Sequence, residues 1–314
     1  MDIHARWYSE PAAAYHDWQY RHAVGANRRL FSDRSMLQHC SMFDRFYRYL
    51  VEHRATITTF TQTDLMAFLD TISEQSSAPS ATTRHRYVKL IDRLCRYLVD
   101  IGIRKTNPAE SWATWQVWPT TDPDLLYLDE EEDALLQARV LESADVVDGN
   151  TRQLRDRAIT ALLLGSGITA SEARQSLANA VDLHPVRPHV HIPKRGARWE
   201  RKVTIADFAL PAIDRWKSHL GPATQDALLF PSPDNKPLSD WTLISIVKAQ
   251  LEAIGFEGPE MGPRVLRNTY ARRQLLEGRT DEDVSALLGL VSLRTVHRIR
   301  QTMPEMAEAK VSGG

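Results

Sequence analysis

Apolar residues return every three or four positions along most of this 314-residue chain, and strict alternation is confined to one stretch near 189–205. A chain patterned this way must bury its apolar surface between helices, with room for one small hairpin. Met36, Cys40, Phe43, Tyr47 and Leu50 share one helix face, and Tyr87, Leu90, Ile91, Leu94 and Leu98 share another. Residues 189–192 (HVHI) and 202–205 (KVTI) read as paired strands around a basic turn, PKRGARWER. The predicted fold class is mainly α with a small antiparallel β-sheet. Further helices are predicted over 206–219, 239–253, 264–277, 280–288 and 292–302, and EQSSAPSATT (74–83) reads as a loop.

The length predicts about two domains. Residues 1–32 form an aromatic-rich N-terminal extension with Trp7, Tyr8, Tyr15, Trp18 and Tyr20, in which Pro11 opens a helix over 11–29. A helical unit follows over 33–118. Prolines and turn residues in VWPTTDPD mark a linker at 119–127. The second unit spans 128–303, and 304–314 is a tail. Two cysteines, Cys40 and Cys95, exclude a disulfide framework and a Cys-rich zinc module. The eleven histidines lack metal-ligand spacing, so neither metal nor cofactor is expected. No apolar run approaches the roughly 20 residues of a membrane span. The polar N-terminus lacks a signal core, so a cytoplasmic location and no membrane partner are expected.

The net charge of −1 argues against a nucleic-acid partner until its distribution is considered. Residues 1–120 carry a net +3 and residues 121–314 a net −4, yet 184–202 holds six basic residues against Glu200 alone. In 81–100, Arg86, Lys89, Arg93 and Arg96 fall on one helix face beside the apolar stripe, with Thr82, Thr83 and Arg84 close by. Such patches set a local field that the total conceals. A solvated helix face and a charged turn without a partner are the plain alternatives.

Three pieces of the second unit come in a telling order: LLLGSGITASEARQ, the basic hairpin, and MGPRVLRNTYARRQLLEGRTDEDVSALLGLVSLRTVHRI. Together they resemble the catalytic domain of the tyrosine recombinases, the phage-integrase-like family. The first piece is similar to the family's T-G-L-R-x-S-E-L. The last is similar to H-x-L-R-H-T-x-A followed by L-G-H and a tyrosine nine residues on. The resemblance covers about 33–303 and implies a two-domain clamp on duplex DNA, with a helical core-binding domain first. In that family a tyrosine attacks a DNA phosphate, two arginines hold its non-bridging oxygens, a hairpin lysine protonates the leaving sugar oxygen, and histidines assist.

Carried onto this chain, the first arginine falls on Thr169, and the acidic residue three further on is kept as Glu172. The hairpin lysine falls nearest Lys194. The histidine of H-x-L-R falls on Arg264, and its arginine is kept as Arg267. The L-G-H histidine falls on Leu290 and the nucleophile on Ile299; no tyrosine follows Tyr270. The DNA contacts this implies are Arg84, Arg86, Lys89, Arg93, Lys194, Arg195, Arg198, Arg201, Arg264 and Arg267. Four substitutions lead to the expectation that the chain is not an enzyme. It is expected to be a sequence-specific DNA-binding protein with a decayed site, serving mobile-element recombination as an accessory subunit or occupying DNA as a repressor. The expected partners are duplex DNA and a second copy or an active recombinase, without a small-molecule substrate. Two alternatives stay open: strand exchange with an unorthodox nucleophile such as His297 or one supplied in trans, and a helical scaffold that does not bind DNA.

Overall fold

A computed structural model describes residues 3–24, 30–75, 81–115, 125–142, 151–195, 199–222, 224 and 226–303. The chain divides into two compact units, Met1–Asp122 and Pro123–Gly314. The observed class is the expected one, helical with a single three-stranded sheet among the described residues.

The first unit contains α1 (Ile3–Ser9), α2 (Pro11–Arg21), α3 (Asp33–Glu52), α4 (Gln62–Gln75), α5 (Ala81–Asp100) and α6 (Glu110–Trp115). The stripe read from α3 is buried at Met36, Cys40, Phe43 and Leu50, and that of α5 at all five positions. The N-terminal aromatics join this same core. Tyr15 stacks on Phe43 with ring centroids 3.8 Å apart, and Trp18 stacks on Tyr97 at 5.2 Å. Pro11 does open a helix, but it ends at Arg21 rather than 29, and Val24 then bridges to Leu30. The stretch HAVGAN carries the Gly and Asn that disfavour helix. Part of the predicted loop 74–83 is helical, since α4 runs to Gln75 and α5 begins at Ala81. The start of α4 is fixed reciprocally: the Thr61 amide donates to Asp64 Oδ2 (2.7 Å) and the Asp64 amide to Thr61 Oγ1 (3.4 Å). Buried Arg104 ties down the turn that precedes α4 by donating to the carbonyls of Ile57 (2.7 Å) and Phe60 (2.6 Å).

The second unit contains α7 (Glu130–Glu142), α8 (Thr151–Ser166), α9 (Ala170–Gln175), β1 (Val181–Asp182), β2 (His189–Ile192), β3 (Arg201–Thr204), α10 (Leu210–Leu220), α11 (Asp240–Glu252), α12 (Pro263–Leu276), α13 (Asp281–Leu288) and α14 (Arg294–Thr302). Residues 158–166 of α8 are all buried, as expected of a helix that is apolar around its whole circumference. Part of the acidic run 129–133 is structural. Asp129 and Glu132 cap α7 reciprocally, and Asp133 takes a two-pronged ion pair from Arg273 at 2.8 and 3.0 Å. The strands pair antiparallel in the order β1-β2-β3. Ile192 lies opposite Arg201 and Val190 opposite Val203. Because paired residues share a sheet face, Arg201 points to the same buried side as Ile192 and Val203. That register carries a cation from the basic hairpin into the interior.

Candidate active site

The site begins where α8 stops. Gly167 has φ +61, and a Cβ there would lie 2.3 Å from Cδ1 of the Tyr270 ring. Only glycine lets α12 approach this turn. Thr169 then caps α9. Its hydroxyl accepts from the Glu172 amide (3.2 Å), while its own amide donates to Glu172 Oε2 (2.8 Å). The side chain at the position of the missing arginine is thus used by the helix start.

Glu172 is 5% exposed. Its Oε2 also accepts from Arg201 Nη2 at 2.9 Å. Burial pushes the carboxyl pKa upward. The Arg201 hydrogen bond, the Thr169 amide and the charges of Arg201 and Arg267 outweigh it and hold the pKa below the ordinary value. Glu172 is therefore a fixed anion rather than a proton carrier. Arg201 Nε donates to Leu287 O (2.9 Å). Arg267 Nη2 donates to the neighbouring Leu288 O (2.6 Å), and its Nη1 to Gly167 O (2.5 Å). Two guanidiniums are thus anchored on consecutive carbonyls at the end of α13. The turn closes at Gly289, φ +63, where a Cβ would meet Arg201 Nη1 at 2.6 Å.

Thr169, Glu172 and Arg267 meet in this cluster, and the remaining assigned positions lie differently. Leu290 is partly buried against the core, and Ile299 is fully buried within it. Arg264 is exposed and paired with Glu260 one turn earlier. His297 is exposed on α14, 3.6 Å from Asp281 and 2.9 Å from Gln301. Tyr270 is a core residue whose phenol pKa burial pushes up to about 12. On the hairpin, Lys194 lies 5.4 Å from the ring centroid of Trp199, itself 76% exposed. Arg195 reaches to 3.5 Å from Ser171 O, beside a cavity of about 450 Å³ that Glu172, Gln175 and His191 also line. Arg198 lies outside the described residues.

The basic stripe of the first unit splits. Arg86, Lys89 and Arg96 are exposed. Arg84 pairs with Asp70 at 3.1 Å. Arg93 turns inward, its guanidinium 4.5 Å from the Phe31 ring centroid, and burial lowers its pKa. Helical periodicity placed Arg93 on the same arc as its neighbours but could not show that Phe31 folds over it. Arg201 was read only as one more hairpin cation. The signal for its inward direction was there: it stands two residues before Val203, hence on the same strand face.

A family model described as the phage integrase family matches residues 131–303, more than half of the chain. Tyrosine recombinase XerC of Neisseria meningitidis is 27% identical over 234 residues, 74% of this chain and 72% of the relative. Tyrosine recombinase XerD of Oceanobacillus iheyensis is 24% identical over 278 residues, covering 85% and 87%. Among solved structures, the XerH recombinase on palindromic difH substrate superposes with a TM-score of 0.69 at 18% identity, over 96% of this chain and 84% of that one. A lambda integrase dimer on a COC′ core site gives 0.63 at 16% identity, over 92% and 75%. These likenesses carry the fold.

The relatives also overturn one expectation. Substitutions at Thr169, Arg264, Leu290 and Ile299 led to a prediction that the chain is not an enzyme. The relatives that match most of its length are named as enzymes, tyrosine recombinases, and the family model spans all four positions. A handful of departures from a motif does not establish inactivity. On a match that runs from α7 to the end of α14, the chain belongs to the phage integrase family.

Proposed function

We propose that this chain works in site-specific DNA recombination. It grips duplex DNA and takes part in strand exchange within an assembly in which a neighbouring subunit delivers the attacking tyrosine. The observation that carries this reading is the arginine cluster. Arg267 and Arg201 arrive from α12 and β3, and both act on Glu172 beside the turn that Gly167 and Thr169 form. Fixed donors of this kind suit the oxygens of a phosphate on which charge accumulates. The neighbour is invoked because Ile299 carries no nucleophilic atom, no tyrosine follows Tyr270, and Tyr270 is buried. In the reaction, the tyrosine oxygen bonds to phosphorus and its proton leaves to water. The bond from phosphorus to the sugar oxygen breaks, and Lys194 returns a proton to that oxygen. Arg86 and Lys89 of the first unit serve sequence recognition in this reading, and Lys194, Arg195 and Arg198 serve backbone contact.

The test is a nicked suicide duplex, offered to the chain alone and mixed with a tyrosine-bearing relative. Binding by the chain alone and a covalent adduct formed in the mixture at this subunit's half-site are expected, with the adduct lost on Arg267→Ala in this chain. No duplex binding at low salt, or an adduct indifferent to Arg267, refutes the reading. A second reading draws on the same buried Ile299. The chain is then an accessory subunit for a mobile element, or a regulator occupying DNA. Adducts would then form only at the relative's own half-site.

A further inference from the structure

We infer that Arg201 supplies the phosphate-binding charge that this chain lacks at Thr169, and with Arg267 forms the pair of guanidiniums that receives a DNA phosphate. This rests on the reading above, that the second unit acts on duplex DNA. The first ground is position. The Thr169 amide and Arg201 Nη2 donate to the same atom, Glu172 Oε2, at 2.8 and 2.9 Å. A guanidinium therefore stands one oxygen away from the backbone where the family's arginine begins, although it comes from a different element.

The second ground is an unmet donor. The Arg201 side chain is 9% exposed, and its Nη1 is buried without a hydrogen-bond partner. A buried cationic N–H without an acceptor is costly. Nε on Leu287 O and Nη2 on Glu172 fix the guanidinium plane, so Nη1 is the corner left for an incoming oxygen. Gly289 covers that corner, and only the absence of a Cβ lets Nη1 fit there. Just beyond this turn the chain reaches the surface, at Val291 and Ser292. The third ground is charge. Arg201 and Arg267 both bring positive charge to bear on Glu172 in a poorly solvated place, where attraction to an anion is stronger than in water.

The experiment measures binding of a mixed-sequence 30-base-pair duplex by fluorescence anisotropy over a potassium chloride series, with thermal melting as the folding control. Each lost phosphate contact lowers the slope of log affinity against log salt by about 0.9. Arg201→Met should lower it by that amount and weaken binding about tenfold or more at low salt. Since Arg201→Met leaves Glu172 buried without its partner, the deciding comparison is Glu172→Gln against Glu172→Gln with Arg201→Met, which removes the pair together. Glu172→Gln alone should tighten binding by freeing Arg201. Thr169→Arg should restore the slope lost with Arg201→Met while adding little to the wild type. Equal slopes with and without Arg201 in the Glu172→Gln background, or equal gains from Thr169→Arg in both backgrounds, overturn the inference and leave the functional reading standing. Wild-type chain that does not bind the duplex at low salt, or binds with no salt dependence, overturns the functional reading itself.

Discussion

Replacing Gly167 by alanine tests whether the turn between α8 and α9 is built around the ring of Tyr270. Two costs are expected, and the structure separates them. The backbone at φ +61 is left-handed, which costs a residue bearing a Cβ about 1–2 kcal/mol. The new methyl would lie 2.3 Å from Cδ1 and 2.7 Å from Cγ of Tyr270, so the ring must move within a filled core, at about 1–3 kcal/mol. Their sum, about 2–5 kcal/mol, should appear in thermal or urea melts of the full chain. Tyr270→Ala opens the space and removes the steric part only. In that background Gly167→Ala should cost no more than the backbone part, about 1–2 kcal/mol, a coupling that a double-mutant cycle measures. The same substitution shifts Gly167 O, the acceptor of Arg267 Nη1, so DNA binding should weaken in Gly167→Ala and partly recover in the double variant. Strictly additive losses, or a loss below about 1 kcal/mol for Gly167→Ala alone, would refute the reasoning.

Arg273→Ala should destabilise the chain by about 2–4 kcal/mol, below the range for a fully buried pair because the Arg273 side chain is 18% exposed; Asp133→Asn should add little in that background. Burial, reinforced by Arg93, holds the His39 pKa down to about 4. A depressed folded pKa contributes stability that is present above about pH 6.5 and lost as pH falls toward 4, which a pH series of melts on wild type and His39→Gln should show, with His39 itself titrating near 4 by NMR. Arg267→Ala and Lys194→Ala should weaken binding to all duplexes alike, whereas Arg86→Ala and Lys89→Ala should alter the preferred sequence in a selection experiment; equal effects from both sets would remove that division.

The elements legible in the sequence were those whose own period declares them. The faces of α3 and α5 and the pairing of β2 with β3 came from spacings of three, four and two. Strand β1 has only two residues and no period to read, so its existence depends on β2 lying beside it. The motif order revealed the family and the places of Thr169, Glu172 and Arg267. It could not reveal that Arg201 and Arg267 are held on adjacent carbonyls of Leu287 and Leu288, because that meeting joins positions 66 residues apart through tertiary packing. Nor could it show that Ile299 faces the core: the stripe of Val296 and Ile299 on α14 is short, and the motif directed attention to chemistry at that position.

The stacking of Tyr15 on Phe43 and of Trp18 on Tyr97 has a practical consequence for anyone shortening this polypeptide. A version trimmed to start at the family-like segment near residue 33 would uncover two aromatic faces at once. It would trade a closed helical core for a sticky one. The leading helices are keystones of the first unit and belong in any shortened version.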